Sequence, residues 1–533
     1  RFLNPERQSM PDIDVDFSDR NRDKVASYLQ EKYGEDKVGH VLTTQTIGAK
    51  ESLRDIARVY GYEEREIELI ISTIVNDKLS LRDDYRHSPQ FKKLIDSDKY
   101  YLEIVSLASK IEGLPRQAGL HAAGVILNNE PLPSVMPTKE EEGIGYVGCL
   151  EKDYLEEQGF LKMDLLGLRN LSIIDDCFAL VKENKGISLS YSSLPYDDAP
   201  SIALIKQGMV MGLFQLESAG MKKAIKEVEP TSFEDVSALL ALFRPGPMES
   251  IPSYARRKKG LEKITYIDPD LEPILKGTYG IIVYQEQIMQ ITQKEAGFSL
   301  GEADLFRRAI SHKDAAKLAS YQTKFIAGCL KNGKSQAIAN SLFSLIYKFA
   351  NYGFNKAHAI SYGMLTCQMA YLKKHYPEEF YCAILNFMSV GDSKYKNTLS
   401  ELKTLAISLK NPDINLSGRN YSLKDKNIIL PLSTIKNLQG SFIDAIIDER
   451  LLNGAYSDIF SFALRLKKYS LNLNSLIRLI DAGAFDSLEA NRASLRASAP
   501  AAMNYAELLA GSDGKQALLT LGIEKPALVN AID

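Results

Sequence analysis

The chain has only five cysteines, Cys149, Cys177, Cys329, Cys367 and Cys382, and no two of them are spaced as CxxC. That scarcity argues against a zinc knuckle or a disulfide framework and suits a reducing cytoplasm. No apolar run approaches the roughly 18 residues that a membrane-spanning helix needs, and no signal peptide opens the chain. Internal repeats and low-complexity linkers are lacking as well. There is no initiator methionine: the sequence starts at Arg1 and reads as a piece of something longer. Nor is there an excess of positive charge. The formal net charge is -3, whereas a nucleic-acid-binding domain is typically basic. The balance is nevertheless local. Basic clusters at Arg256–Arg257–Lys258–Lys259, Arg307–Arg308 and Lys373–Lys374 are offset by acidic runs such as Glu140–Glu141–Glu142. Each cluster taken alone reads as a solvated surface, so charge decides nothing.

What is present is a chain of 533 residues, 45% of them hydrophobic, long enough for three or four domains at about 150 residues each. MPDIDVDF at 10–17 alternates acid and apolar, the period-two signature of a strand. A helix is predicted from about Asp19, a plausible cap, to Gly34, and a short strand at VGHVLTT, 38–44. From Ile47 to about Ile111 the pattern is helical and charge-rich, a candidate inserted domain. Strand-like runs return in HAAGVILN (121–128) and GFLKMDLLGL (159–168), so mixed α/β character brackets the insert. Residues 170 to about 410 read mostly as helix, 425–490 as short helices, and the Ala-rich tail as helix.

Along the first strand Asp12, Asp14 and Asp16 share one face, while Ile13, Val15 and Phe17 share the other. Carboxylates so arranged repel one another unless a cation or arginines neutralise them. Same-face side chains lie about 7 Å apart on a strand, and two can converge on metals about 3.5–4 Å apart, as in two-metal phosphoryl-transfer sites. In GFLKMDLL, Lys162 and Asp164 share one face and Leu161, Met163 and Leu165 the other. A short DxD also suits an exposed strand edge protected against aggregation, and it occurs in metal-dependent glycosyltransferases and nucleases. Composition does not choose among these.

The longer string RFLNPERQSMPDIDVDFSDRNRD (1–23) closely resembles the palm of the C-family DNA polymerases, the family of the bacterial polymerase III alpha subunit. Further segments fit the same family in order: GFLKMDLLGLRNL (159–171), LFQLESAGMKKAI (213–225), LLALFRPGP (239–247), YGIIVYQEQIMQI (279–291) and FNKAHAISYGMLTCQMAYLKKHYPEEF (354–380). The resemblance covers nearly the whole chain, less clearly past about 490. It implies a predominantly helical α+β multidomain protein: a polymerase-beta-like nucleotidyltransferase palm at 1–43 and 118–168, a helical thumb at 44–117, and helical fingers at 169–424. A helix-hairpin-helix-like module would follow at 425–490 and a helical tail at 491–533.

The resemblance also implies roles. Asp12, Asp14 and Asp164 match the family's catalytic, metal-holding aspartates; Asp16 matches an acid that the family does not count among the three. Two Mg²⁺ ions are the implied cofactors, in keeping with hard oxygen ligands and no His or Cys beside them. Arg1, Arg7 and Lys162 match basic residues around the incoming triphosphate, and Arg307 and Arg308 a fingers pair that reaches its phosphates. His358 matches a position near the nucleotide sugar, where it would exclude ribose; capping or packing is the plainer reading. Tyr284, Gln285 and Gln287 are polar positions opening a fingers helix, with Ile288, Met289 and Ile291 read as core. Lys50, Arg54 and Arg58 fall at i, i+4 and i+8, a helical stripe that would meet duplex phosphates without sequence preference or else pair with Glu51 and Asp55. In STIKNLQGSFIDAIIDER (433–450) the hairpin reads NLQG, where a helix-hairpin-helix usually has a second glycine, which puts its approach to a phosphate in doubt.

Several family parts are not found in this sequence: the amino-terminal PHP domain, the early palm with its Gly-Ser loop, the carboxy-terminal OB fold, and any exonuclease insertion. GKQALLTLGI (514–523) lies about where a clamp-binding peptide is expected, though a helix face explains it equally well. The implied partners are primer-template DNA, dNTPs, and the sliding clamp and clamp-loader subunits, in a bacterial cytoplasm at the nucleoid. A metal-dependent nuclease and a non-catalytic DNA-binding scaffold are the rival readings.

Overall fold

The computed structural model describes residues 13–74, 79–311, 315–350, 352–510 and 524–532. It is a mixed α+β protein, about 58% helical, in which the described residues divide into two compact units between Leu171 and Ser172.

The first unit is built on a sheet. In chain order its elements are β1 (Ile13–Ser18), α1 (Arg22–Tyr33), β2 (Val38–Thr46), α2 (Ala49–Tyr60), α3 (Glu64–Ser72), α4 (Leu81–His87), α5 (Pro89–Ile95), α6 (Lys99–Ile111), β3 (Pro115–Leu127), α7 (Leu132–Val135), β4 (Thr138–Glu141), β5 (Gly145–Gly148), α8 (Lys152–Glu157) and β6 (Lys162–Leu168). The strand order is β1-β6-β3-β2-β5-β4. β1 runs parallel to β6, and β3 is antiparallel to both β6 and β2.

Each face of the sheet has its own apolar layer. Helix α1 covers one face, where Ala26 packs with Phe17, Val38, Val125 and Leu165. The other face buries Val41, Ile126, Leu132, Met136 and Leu155. Because cross-strand partners share a face, the pairing of Lys162 with Ile126 and of Asp164 with Gly124 puts both polar side chains on the side away from α1. The period-two reading of β6 therefore describes its two faces. In β1 the apolar face is less completely covered: Phe17 packs against the α1 layer, but Val15 is 39% exposed. β1 is the edge strand, and α1 lies over β6 and β2.

Between β2 and β3 the chain folds helices α2 to α6 around a separate core that includes Leu53, Ile70, Phe91, Ile95 and Ile104. Local signals set the boundaries. Gly61 ends α2 in the left-handed region at φ 75°, which glycine adopts at little cost. The Ser80, Ser88 and Asp98 side chains accept from the first-turn amides of α4, α5 and α6, as good N-caps do.

The second unit is mostly helical, but Leu409–Lys410, Ser422–Lys424 and Asn427–Ile429 form a small three-stranded sheet, so the 425–490 stretch read as short helices opens on a strand. One core, with Phe298, Phe306, Phe325 and Phe343 at its centre, unites the helices Gln285–Ala296, Leu300–Ser311, Ala315–Lys331 and Gln336–Ala350. A later core spans Ile414 to Leu509 and includes the tail helix Arg492–Ala510. Among the described residues no helix is long and apolar enough to cross a membrane.

Candidate active site

Strands β1 and β6 lie side by side in parallel with Asp14 and Asp164 as direct register partners. Neighbouring strands run about 4.8 Å apart, so both carboxylates leave the sheet from one spot on the face away from α1. Asp14 is exposed at the sheet edge. Asp164 is largely covered, its side chain 15% accessible, and Lys162 beside it is 3% accessible. The Lys162 ammonium donates to both Asp164 oxygens, at 2.9 and 2.7 Å. Asp16 follows on the same face as Asp14, and its buried Oδ1 has no hydrogen-bond partner in the structure. Such an orphaned oxygen calls for a donor, a water or a cation. Asp12, Arg1 and Arg7 lie outside the described residues.

A third strand contributes a residue that the sequence pattern did not flag. His121 of β3 brings Nδ1 to 3.9 Å from Asp164 Oδ1. That nitrogen accepts from the Gly124 amide at 2.7 Å and the Ala123 amide at 3.3 Å. Glycine at 124 makes this possible, since a Cβ there would stand 2.9 Å from Nδ1 and 3.0 Å from a Val41 methyl. The histidine reaches the aspartates through an irregular pairing, with the register of β2 against β3 shifting between His40 and Leu42. No reading of β1 or β6 alone could have found it.

In the second unit, one carboxylate organises the predicted arginine pair. On the helix Leu300–Ser311, Asp304 Oδ1 accepts from Arg307 at 2.9 and 3.2 Å, and Oδ2 accepts from Arg308 at 3.0 Å. All three side chains are less than a third exposed. Burial pushes the Asp304 carboxyl up, but the Arg307 hydrogen bond and both guanidinium charges outweigh it and hold the group below its usual range.

His358 sits exposed in the first turn of the helix Lys356–His375. The cap of that helix is Asn355, whose side chain accepts the His358 amide. The imidazole stands 3.9 Å from the Tyr362 ring and 5.3 Å from the Phe354 ring. Of the neighbouring polar positions, Gln287 is structural: its Oε1 accepts the Val283 and Tyr284 amides, and its Nε2 donates to Thr278. Ile288, Met289 and Ile291 are core.

Residues 1–167 match the family model for the bacterial DNA polymerase III alpha NTPase domain. Residues 170–333 match that for the bacterial DNA polymerase III alpha subunit finger domain, and 406–495 a helix-hairpin-helix motif. The chain is 43% identical to the DNA polymerase III subunit alpha of Bacillus subtilis, over 97% of this chain and 46% of that protein. It is 40% identical to the Thermus aquaticus subunit, over 100% of this chain and 44% of that protein. The Staphylococcus epidermidis subunit is 42% identical over 93% and 46%. The chain belongs to the bacterial DNA polymerase III alpha-subunit family. It spans a little under half the length of these curated relatives.

The boundary between the two polymerase III alpha models, at 167 and 170, falls beside the division between the compact units. Within the helical insert of the first unit, the basic stripe has partners. Arg54 pairs with Glu68 of α3 at 2.7 Å, and Arg58 with Asp55 at 2.8 Å. Glu51 is taken by Arg116, which also approaches Asp55 at 3.4 Å. Lys50 also interacts within the fold.

The helix-hairpin-helix keeps its turn despite the missing glycine. Asn437 takes φ 60°, a left-handed conformation that asparagine tolerates better than most residues, and its carbonyl accepts from Arg478 at 2.8 Å. The 514–523 segment lies outside the described residues.

Among the described residues, one group of three acids is spaced closely enough to hold a metal, and it includes none of the expected aspartates. Asp268, Asp270 and Glu295 bring ligand atoms within 4.8 Å of one another. Their centre is already taken, because Lys334 Nζ lies 2.8, 2.8 and 3.2 Å from the three carboxylates. Asp268 and Asp270 form a short DxD of their own, and Glu295 comes from the helix Gln285–Ala296.

Proposed function

We propose that the protein containing this chain carries out template-directed DNA synthesis, adding dNMP from dNTP to a primer 3′-hydroxyl during bacterial chromosome replication. The observation that carries the reading is the in-register pairing of Asp14 with Asp164 on adjacent parallel strands. In this reading the sheet unit is palm, α2 to α6 are thumb, and 169–424 are fingers, with the helix-hairpin-helix module beyond them.

The donor set fits hard divalent cations. Carboxylates leave one spot of the sheet with no cysteine among them, and the orphaned Asp16 oxygen adds acceptor capacity beside them. Asp12, Asp14 and Asp164 would hold two Mg²⁺ ions. Bound there, the ions would activate the primer hydroxyl and neutralise charge on the departing pyrophosphate. The chain's own residues do the rest. Lys162 fixes the orientation of Asp164 and moderates the charge of the acidic cluster. Arg307 and Arg308, pre-oriented by Asp304, grip the triphosphate together with Arg1 and Arg7, so little reorganisation is left for the reaction itself. His358 limits the space beside the sugar. Lys50, Arg54 and Arg58 meet the duplex backbone, and the sliding clamp and clamp loader hold the enzyme on DNA in the cytoplasm.

His121 favours one rival. Hydrolysis needs a group that activates water near the metals, and neither aspartate strand supplies a histidine, but β3 brings one to 3.9 Å from Asp164. The decisive experiment is an assay of the full-length subunit on a labelled primer-template, with and without Mg²⁺ and dNTPs. Extension that needs both supports synthesis. Shortening of the strand in Mg²⁺ alone, abolished by Asp14→Asn, would establish a nuclease instead. Binding with neither outcome would leave only a scaffold.

A further inference from the structure

We infer that Arg244 is a positioning residue for sugar selection, acting through Phe354 on the ring of His358; this rests on the reading of His358 as the group beside the nucleotide sugar. Every link is a direct contact within the second unit. The Arg244 guanidinium lies 4.6 Å from the centre of the Phe354 ring. Phe354 meets His358 edge to face at 5.3 Å, and the far side of the imidazole is held by Tyr362 at 3.9 Å. Tyr362 is in turn braced edge to face by Phe214 at 4.9 Å. An exposed histidine on the first turn of a helix would ordinarily sample several rotamers. Here its ring is confined between two aromatic neighbours, and the outer one is clamped by a cation.

The clamp is itself immobilised. Arg244 Nε donates to the Ala241 carbonyl at 3.0 Å, and a terminal nitrogen donates to the Tyr352 carbonyl. The Phe354 amide donates to Val283 at 3.0 Å, and its carbonyl accepts from Gln285 at 2.9 Å. Gly246, two residues after Arg244, takes φ 97°, and the Tyr352 ring packs against its α-carbon where any side chain would collide. The RPGP turn thus presses Arg244 and Tyr352 together at the entrance to the His358 helix. Arginine suits the task because a planar, forked cation can stack on a ring and donate to two carbonyls at once. Lysine keeps the charge and loses both. With its donors turned towards backbone carbonyls, Arg244 is better placed to orient His358 than to touch a nucleotide.

The test uses the full-length subunit with matched dNTP and rNTP of the same base, measuring kcat and KM for single additions. Arg244→Lys is expected to lower the dNTP-to-rNTP ratio of kcat/KM by about tenfold, mainly through a better KM for the ribonucleotide. Phe354→Leu, which removes the intervening ring, should do the same, and it carries the test if the arginine variants fold poorly. His358→Ala should lower the ratio at least as far, and the Arg244→Lys, His358→Ala double variant no further. If His358→Ala lowers the ratio while Arg244→Lys and Phe354→Leu change both nucleotides equally, the positioning role is wrong and the reading of His358 survives. If His358→Ala leaves the ratio unchanged, both fall.

Discussion

Asp14 and Asp164 are register partners on adjacent parallel strands, yet their surroundings differ sharply: Asp14 is exposed, while Asp164 is covered and bound through both oxygens to a buried lysine. Loss of either carboxylate is expected to remove nucleotide incorporation and leave primer-template affinity within a few-fold. Their effects on folding should separate. Asp164→Asn leaves Lys162 buried without its counter-charge, a change that typically costs about 3–5 kcal/mol, whereas Asp14→Asn should cost well under about 1 kcal/mol at an exposed position. Urea unfolding of both variants checks this. Equal destabilisation would mean that the Lys162–Asp164 pair contributes nothing to the fold.

Arg307→Ala should raise the apparent KM for dNTPs about tenfold, the scale of one lost charge-assisted hydrogen bond, with a smaller effect on DNA binding. Steady-state kinetics and a primer-template titration decide the matter, and an unchanged KM rejects the role.

The same cluster makes a pH prediction. Asp304 is held below its unfolded value of 3.8, so the folded state binds fewer protons there than the unfolded chain. The resulting stability is fully present above the unfolded pKa and is lost as pH falls through the lower, folded value. A plot of Tm against pH for Asp304→Asn should therefore run flatter than that of the parent below about pH 4. Parallel curves would show that the arginines do not hold the carboxylate ionised.

If Arg54 of α2 meets the duplex as proposed, its partner Glu68 of α3 would compete with DNA for it. Glu68→Gln should release the guanidinium, tighten primer-template binding and steepen the dependence of log Kd on log salt by up to about one. A Glu68→Gln variant with the parent's salt slope would place Arg54 away from the phosphates.

At the helix-hairpin-helix turn, Asn437→Gly should leave Tm unchanged or raise it, since glycine fits a φ of 60°. Asn437→Val should destabilise by about 1–2 kcal/mol, the cost of forcing a β-branched residue into the left-handed region. The two variants falling together would deny the turn its conformational demand.

Much of the scaffold was legible because its signals are local. Alternation in MPDIDVDF and GFLKMDLL marks β1 and β6, and the 47–111 pattern yields α2 to α6. Strands β4 and β5 escaped notice because they are four residues long and one is mostly charged, so neither period nor propensity stands out. The start of α1 at Arg22, later than the Asp19 cap suggested, reflects a turn at 19–21 that no cap rule describes. Glu68 as the partner of Arg54 could not be read from helix spacing, which offers only Glu51 and Asp55, because it comes from the next helix. His121 and Arg244 stayed hidden for the same reason. Each acts through a neighbour supplied by strand register or by loop packing, and neither leaves a periodic trace.

Lys334, set among Asp268, Asp270 and Glu295, behaves as a counter-ion tethered to the polypeptide. A tethered ion is neither diluted nor chelated, so this part of the second unit should be indifferent to EDTA. A chelator-sensitive change in the chain would then have its origin outside this cluster, which gives a spectroscopist a built-in internal control.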